Sequence, residues 1–325
     1  MCTAATYATK DHYFGRNLDL EYSYHEEVTV APRKFPLPFR HKPEMKDHYA
    51  IIGMAFIAGG YPLFYDATNE KGLSMAGLNF PVNADWKEIS SDPSVDNITP
   101  FEFIPWILSQ CADLKEAREK LACLHLINEN FSEQLPLNPL PWMISDFTGS
   151  IVVESVKEGL KVYDNPPGVM TNNPPFDIQL FKLNDYRNLT AQQGGNSFAE
   201  GLDLPQYSRG MGAIGLPGDL SSSSRFAKVA FTRLNSISGD SESESISQFF
   251  HILGSVEQQR GCCRLGDRNE ITIYSSCVNM EKGIYYYRTY ENSQITAVDM
   301  HRENLDGSQL AHYELIEGQQ IRQQN

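Results

Sequence analysis

The order of strand-like and helix-like segments is the feature that most restricts what this chain can fold into. Short segments rich in β-branched and apolar residues occur in runs between turn formers, and pairs of helical segments follow these runs. Strict alternation of single strands and single helices, which is typical of a parallel sheet, does not occur. The pattern therefore favours an α+β protein with stacked antiparallel sheets covered by helices. The predicted strands are Thr3–Thr9, Glu27–Ala31, Ala50–Ile57, Leu73–Phe80, Trp142–Asp146, Ser150–Ser155, Leu160–Tyr163, Ile271–Tyr274, Gly283–Tyr290 and Ile295–Asp299.

Four segments have the apolar spacing of helices. Thr99 and Pro100 form a helix start in front of the strongly apolar segment Phe101–Gln110. The other three helices are predicted from apolar residues that share one face: Leu114, Ala117, Leu121 and Leu124; Phe226, Val229, Ala230 and Leu234; and Ile246, Phe249, Phe250, Leu253 and Val256.

No linker and no internal repeat divides the chain. We therefore predict one domain over residues 1–325, with Met1 removed on maturation. The polar stretches Gly194–Gly201 and Ser236–Ser245 are predicted to be surface loops rather than domain boundaries.

The charge balance restricts the partners of the protein. The chain has 41 acidic and 27 basic side chains and a net charge of −14. Nucleic acids and anionic bilayers would be repelled at long range, and no apolar stretch approaches the roughly 20 residues of a membrane helix. We expect a soluble protein without a nucleic-acid or membrane partner, and the absence of a signal-like N-terminal segment favours the cytosol. An anionic small molecule is still compatible if arginines surround its charge.

The six cysteines do not have the spacing of a metal site. In a reducing compartment a disulfide framework is not expected either. We therefore predict no metal and no other cofactor, and the pair Cys262 and Cys263 is interpreted as structural thiols.

A cysteine directly after the initiator methionine is the first candidate for chemistry. Cys2 is small enough for Met1 to be removed, which would leave a free α-amine beside a thiol. A model α-amine titrates at about 7.7–8.0 and a thiol at about 8.5, so proton transfer between them is nearly balanced near neutral pH. Nucleophile and base would then lie on one residue, although Met-Cys also begins many chains by chance.

The segment Gly15–Asp19 adds charges that could assist such a thiol. Arg16 could lower the pKa of the thiol, and Asp19 could accept a hydrogen bond from the α-amine. The sequence interpretation places the two side chains on the same face of a strand. A surface ion pair is the alternative explanation.

Three further residues stand in contexts that suit anion binding. Asn79 follows Gly77 and Leu78, Asn172 lies in a turn-prone segment before Pro174, and both amides could form an oxyanion hole. Arg225 follows a serine-rich helix start and could bind an oxyanion or a thiolate. Turn formation and helix capping are the ordinary explanations of these segments.

Taken together, the segments resemble the choloylglycine hydrolase family, which comprises bile salt hydrolases and penicillin V acylases. The resemblance covers essentially the whole chain. It rests on Met-Cys-Thr, Phe14-Gly-Arg-Asn-Leu-Asp19, Asn69-Glu-Lys-Gly72, Ala76-Gly-Leu-Asn79, Phe131-Ser-Glu-Gln134, Thr171-Asn-Asn-Pro174, Gly215-Leu-Pro-Gly-Asp219, Ser224-Arg-Phe226, Phe249-Phe-His-Ile252 and Thr289-Tyr-Glu-Asn292. Pro141 departs from the family, whose members often have histidine there.

The resemblance implies a four-layer αββα N-terminal-nucleophile hydrolase fold, autocatalytic exposure of Cys2 and a homotetramer. It implies that conjugated bile salts are the substrates and assigns six catalytic residues: Cys2 as nucleophile, Arg16 and Arg225 beside its sulfur, Asp19 on the amine, and Asn79 with Asn172 around the oxyanion. The apolar segments Phe56–Tyr65 and Leu126–Leu140, interpreted as loops, suit a steroid face, and the candidate binding residues are Leu18, Ala58, Tyr65 and Leu135.

Three other functions are compatible with the same resemblance, and the least favoured of them is the turnover of N-acyl homoserine lactones. A penicillin V acylase would share the fold and the nucleophile, but Asn79 resembles the bile salt hydrolases, where the acylases usually have tyrosine. A catalytically inactive bile-acid-binding protein would be favoured had Cys2, Asp19 or Arg225 been lost. The triplet Ser208-Arg209-Gly210 resembles the pattern of taurine-preferring enzymes, since the fork of Arg209 suits a sulfonate.

Overall fold

Two large antiparallel sheets stack face to face in the structure, a computed structural model that describes residues 1–325. The strands, numbered in chain order, are β1 Cys2–Ala8, β2 His12–Leu20, β3 Glu27–Ala31, β4 Ile51–Ala58, β5 Tyr61–Asn69, β6 Ser74–Gly77, β7 Asp96–Ile98, β8 Leu124–Leu126, β9 Pro141–Asp146, β10 Gly149–Val156, β11 Gly159–Asp164, β12 Val169–Met170, β13 Arg264–Leu265, β14 Arg268–Asn269, β15 Ile271–Asn279, β16 Ile284–Thr289, β17 Thr296–Asp299 and β18 Ala311–Glu314.

The first sheet has the strand order β12-β1-β2-β15-β16-β17, and the second has β11-β10-β9-β6-β5-β4-β3-β18. Strand β2 lies in the middle of the first sheet, between β1 and β15. Gly15 permits this close pairing, because a Cβ atom there would lie 2.0 Å from the carbonyl oxygen of Ser276. The residues that follow Gly15 are therefore held in the interior of the sheet.

Four of the five α-helices cover the outer faces of the two sheets. Two of them pack on the second sheet and two on the first, so the layers run helix, sheet, sheet, helix. None of the helices is both long and apolar enough to cross a bilayer. The helices are α1 Phe103–Gln110, α2 Leu114–Leu121, α3 Phe176–Lys182, α4 Ser222–Asn235 and α5 Glu242–Gly254, of which α1 and α2 contact the second sheet and α4 and α5 the first.

Two apolar clusters form the core. One fills the space between the sheets and extends under α4 and α5, and it includes Cys2, Leu18 and Met54. The other lies between the second sheet and α1 and α2, around Trp142. Burial of these side chains stabilises the folded state by about 25 cal/mol per Å² of apolar surface removed from water. Packing within the two clusters is therefore the main source of stability.

Several predicted elements differ in the structure. The segment Phe56–Tyr65, interpreted as a loop, is the hairpin of β4 and β5, which turns at Gly59 and Gly60 with φ values of 58° and 85°. The second predicted helix ends at Leu121, and Leu124 begins strand β8 instead.

The Ser236–Ser245 stretch is a loop only as far as Ser241, whose side chain caps α5 in a capping box with Glu244. The Gly194–Gly201 stretch contains no helix or strand, as predicted. Helix α3 was not predicted, because its seven residues are too few for a helical period to be recognised.

Candidate active site

Cys2 begins β1 at one edge of the space between the two sheets. It pairs with Leu18 of β2 in register, and Ala4 pairs with Arg16. Residues that alternate along a strand share a face, so Cys2, Leu18 and Arg16 all point toward the second sheet. The side chain of Cys2 is only 3% exposed, and it belongs to the apolar cluster between the sheets.

The residue before Cys2 is held by polar contacts at both of its ends. The Met1 amine donates a hydrogen bond of 2.7 Å to the carbonyl oxygen of Asp19 and forms an ion pair with Glu270. The Met1 carbonyl oxygen accepts a hydrogen bond of 2.9 Å from the Asp19 amide. With Met1 attached, the nitrogen of Cys2 is an amide and has no basic lone pair.

Asn172 connects Cys2 with two other candidate residues. Its Oδ1 accepts hydrogen bonds from the backbone nitrogen of Cys2 at 2.8 Å and from Arg225 Nη2 at 2.7 Å. Its Nδ2 donates to the carbonyl oxygen of Asn79 at 2.7 Å. Because two donors bind one end of the Asn172 carboxamide and a carbonyl oxygen binds the other, only one assignment of its oxygen and nitrogen satisfies all three contacts.

Arg225 lies in the first turns of α4 and reaches back to β1. Its Nη1 donates to the carbonyl oxygen of Cys2 and to Thr3 Oγ1, both at 2.6 Å, and its Nε donates to the carbonyl of Leu220 at 3.0 Å. The sequence interpretation placed Arg225 beside the sulfur of Cys2. In the structure the guanidinium holds the backbone of the same residue through its carbonyl oxygen.

Arg16 and Asp19 lie on opposite faces of β2, which contradicts the shared face expected from the sequence. They are three residues apart, and strand side chains alternate, so Arg16 points between the sheets while Asp19 points toward the helix layer with Arg225. Arg16 Nη1 donates to the carbonyl oxygens of Tyr65 at 3.0 Å and Gly77 at 2.5 Å.

The charge of Arg16 lies close to Cys2 in a dry environment. Burial disfavours the charged guanidinium, but electrostatic coupling to the acidic groups around it, Cys2, Tyr274, Asp66 and Asp19, outweighs burial and raises the pKa of Arg16 above its ordinary value. Its Nη2 donates no hydrogen bond to the protein. Arg16 is thus the cation that faces the thiol.

Asp19 is a fully buried carboxylate. Oδ1 accepts a hydrogen bond of 2.6 Å from Thr272, whereas Oδ2 has no hydrogen-bond partner and lies 3.9 Å from Arg225 Nη1. Burial raises the pKa of Asp19, and Arg225 and the N-terminal amine act in the opposite direction. The free oxygen leaves the carboxylate available to a further donor near the N-terminus.

Asn79 lies two residues after the end of β6 and is half-buried. Its carbonyl oxygen binds Asn172, and its own side-chain amide makes no hydrogen bond within the protein. The side-chain N–H groups of Asn79 and one of those of Asn172 are therefore donors that no protein group uses. Such donors suit a developing oxyanion.

The predicted binding residues are distributed unevenly around this site. Leu18 is the register partner of Cys2, and Tyr65 packs against the same apolar cluster. Ala58 ends β4, and Leu135 lies in a turn with Ser132; neither belongs to that cluster. Arg209 is exposed, and its guanidinium donates no hydrogen bond to the protein.

Three functional-site residues were not found from the sequence. Glu270 binds the N-terminal amine, Thr272 orients Asp19, and Gln179 donates to the carbonyl of Asn172 at 2.6 Å while it accepts from Thr171 at 3.0 Å. These residues come from distant parts of the chain, so no local pattern indicates them. No group of three or more histidine, cysteine or acidic side chains is arranged to hold a metal ion.

Comparison with known proteins identifies the family to which the chain is similar. Residues 2–313 match the linear amide C–N hydrolases of the choloylglycine hydrolase family. The chain is 58% identical over 316 residues to a bile salt hydrolase/transferase of Lactiplantibacillus plantarum, with 97% of each protein covered. It is 43% identical over 318 residues to a bile salt hydrolase/transferase of Clostridium perfringens, with 96% of each covered.

A crystal structure of a mutant conjugated bile acid hydrolase from Clostridium perfringens matches the whole of both chains with a TM-score of 0.92 and 41% identity. The predicted α+β fold with two stacked antiparallel sheets is confirmed, and it is the N-terminal-nucleophile hydrolase fold. The predicted enzyme class, a hydrolase of linear amides, is confirmed as well. The chain belongs to the choloylglycine hydrolase family.

Proposed function

We propose that the protein hydrolyses the amide bond of glycine- or taurine-conjugated bile salts, with the Cys2 thiol as nucleophile and the Cys2 α-amine as base. The observation that carries the proposal is the set of contacts around Cys2. Asn172 holds its nitrogen, Arg225 holds its carbonyl oxygen, and Arg16 faces its sulfur from a buried position. A structural cysteine does not need charged groups on both sides.

The base becomes available only when Met1 is removed. Cleavage of the Met1–Cys2 bond converts the amide nitrogen of Cys2 into an amine that Asn172 Oδ1 already holds, and the Asp19 amide binds the carbonyl of the departing Met1. The amine takes the thiol proton, and the thiolate is stabilised by Arg16. Asp19 favours the resulting ammonium, since its Oδ2 has no other hydrogen bond.

The thiolate then attacks the carbonyl carbon of the substrate amide. The electron pair of the C=O bond moves to the oxygen, which accepts hydrogen bonds from the free side-chain donors of Asn79 and Asn172. The C–N bond breaks, the leaving nitrogen takes the proton from the Cys2 ammonium, and glycine or taurine departs. The bile acyl group remains on Sγ as a thioester.

Water resolves the thioester by the reverse sequence of proton transfers. The Cys2 amine takes a proton from the attacking water, a second tetrahedral oxyanion forms at Asn79 and Asn172, and the C–S bond breaks to release the bile acid. The proton on the amine returns to the thiolate. No metal or other cofactor enters these steps.

Bile salts are proposed over penicillin V because of Asn79 and the apolar wall next to Cys2. Leu18 is in register with Cys2, and Tyr65 packs against the same cluster, so one side of the nucleophile is apolar. A steroid face would bury more of its surface on such a wall than a phenoxyacetyl group would. Relatives named as bile salt hydrolases support the same choice.

We propose that Arg209 gives the enzyme a preference for taurine-conjugated over glycine-conjugated bile salts. Its guanidinium has no carboxylate partner in this chain, so its donors are free for the three oxygens of a sulfonate.

A homotetramer in the bacterial cytosol is proposed as the working form, with one domain per chain. Large apolar side chains are exposed along the segment from α3 to α5, with Phe181 at 74%, Phe198 at 81%, Tyr207 at 84% and Ile237 at 88% exposure. Contacts between copies of the chain would cover such a surface.

Side-by-side kinetics with taurocholate, glycocholate and penicillin V test the proposed function. We expect kcat/KM to be highest for a conjugated bile salt and turnover to be lost in Cys2→Ala. A higher kcat/KM for penicillin V, or a Cys2→Ala variant as active as the parent, would refute it.

A further inference from the structure

A buried carboxylate links the two sheets behind Arg16. Asp66 of β5 is 2% exposed, and its side chain points from the second sheet to the first. Its Oδ1 accepts a hydrogen bond of 2.6 Å from the Tyr274 hydroxyl, and its Oδ2 accepts from Tyr285 at 2.7 Å and Ser276 at 3.0 Å. Three hydroxyl donors converge on one carboxylate, which favours its charged form.

This carboxylate is connected to Arg16 through one hydroxyl group. Ser276 Oγ donates to Asp66 and accepts a hydrogen bond of 3.1 Å from the backbone nitrogen of Arg16. The residue before Asp66 contributes as well. The register of β4 and β5 shifts there, which leaves Tyr65 as the extra residue of a bulge and turns its carbonyl oxygen to Arg16.

We propose that Asp66 is a positioning residue of the active site, which fixes Arg16 through Ser276 and offsets part of the positive charge that the guanidinium presents to Cys2. An unpaired arginine would be costly in this interior. The negative charge of Asp66, on the side away from Cys2, lowers the free-energy cost of burying the Arg16 guanidinium. It does so without a hydrogen bond to Nη2 of Arg16, which stays free. The inference rests on the proposed role of Cys2 as nucleophile.

The groups that face Asp66 are few, so the effect of its charge can be isolated. The titratable ones are Arg16 of β2, Tyr274 of β15 and Tyr285 of β16. The register partners of Asp66 in its own sheet are Met54 and Ala76, which do not titrate. Burial raises the pKa of Asp66, and Arg16 and the three hydroxyl donors oppose this rise.

Removal of this negative charge has a defined sign at Cys2. In Asp66→Asn the guanidinium loses its counter-charge, the potential at Sγ becomes more positive, and the thiolate forms at lower pH. We expect the midpoint of the thiol titration to fall by about one pH unit, the order of magnitude for one charge about 10 Å away at an effective dielectric constant of about 20.

The experiment is the pH dependence of iodoacetamide alkylation of the mature enzyme, with the Cys2 peptide quantified by mass spectrometry. Asp66→Asn should lower the midpoint and move the acid limb of kcat/KM in the same direction. Tyr285→Phe removes one donor from the carboxylate, favours its neutral form, and should shift the midpoint the same way by less. Glu154→Gln, the same carboxyl-to-amide change at another buried site, should leave it unchanged.

A purely structural role predicts a different pattern. If Asp66→Asn lowers kcat/KM equally at every pH while the midpoint stays or rises, the proposal is overturned. If Asp66→Asn does not fold, the test is made with Tyr285→Phe alone. An unshifted midpoint of Cys2 alkylation in Tyr285→Phe then overturns the proposal. Failure of the underlying function would instead be seen as turnover in Cys2→Ala, which does not depend on the alkylation result.

Discussion

Asn172 Oδ1 accepts a hydrogen bond of 2.8 Å from the backbone nitrogen of Cys2, although 170 residues separate the two in the chain. The same oxygen accepts from Arg225. The nitrogen that would become the catalytic amine is thus fixed before Met1 leaves. Removal of Met1 then requires little rearrangement for the base to be in place, which is a way to keep the entropy cost of the reaction low.

Replacement of Asn172 tests this relationship. Asn172→Ala removes the acceptor for the amine and one oxyanion donor, and we expect kcat to fall by about 10²–10³-fold with a smaller change in KM. The matched control is Asn173→Ala, since Asn173 bonds to Pro81 and Asn83 rather than to Cys2. Equal losses in the two variants, measured with taurocholate, would argue against the assigned role.

The general architecture could be predicted from the sequence, whereas the orientation of the site could not. Runs of strands and pairs of helices indicated stacked sheets, because apolar periodicity is a local property. Glycines such as Gly59 and Gly60 interrupt that periodicity, so the β4–β5 hairpin was interpreted as a loop.

The candidate catalytic residues could be identified by resemblance, but their contacts depend on tertiary structure. The opposite faces of Arg16 and Asp19 follow from strand alternation over three residues. The hydrogen bond from Arg225 to the carbonyl oxygen of Cys2 depends on the packing of α4 against β1, which no local pattern indicates. Glu270 and Asp66 carry no local signal at all. Their roles depend on tertiary contacts: Glu270 binds the N-terminal amine, and Asp66 of the second sheet accepts a hydrogen bond from Tyr274 of the first.

The taurine preference proposed for Arg209 makes a quantitative prediction. Arg209→Gly should lower the ratio of taurocholate to glycocholate kcat/KM, because the planar fork contributes more to a sulfonate with three oxygens than to a carboxylate with two. Arg322→Gly, another exposed arginine, serves as the control. An unchanged ratio in Arg209→Gly would show that this residue does not set the preference.

The stability of the protein should depend on the protonation of Glu154. Burial raises the pKa of this glutamate from 4.5 to about 7 in the folded protein, although the Phe176 amide donates to it and acts in the opposite direction. Because the folded pKa is the higher one, the stabilising contribution is complete below about pH 4.5 and is lost as the pH rises through about 7.

Glu154→Gln does not titrate and should therefore gain stability relative to the parent between pH 4 and pH 8, by about 3 kcal/mol in the free energy of unfolding. Urea unfolding at the two pH values measures this difference. Glu158→Gln, an exposed glutamate of the same β10–β11 hairpin, should show none of it. A pH-independent difference for Glu154→Gln would mean that this carboxyl group is not perturbed.

The central claim is that Cys2 acts with its own α-amine, and the state of Met1 tests it most directly. Preparations that contain different fractions of chains lacking Met1 are compared, and intact-mass measurement gives the fraction in each. We expect taurocholate turnover per chain to rise in proportion to that fraction and to extrapolate to zero when every chain retains Met1. Chains that retain Met1 and turn over taurocholate as fast as processed chains would contradict the mechanism.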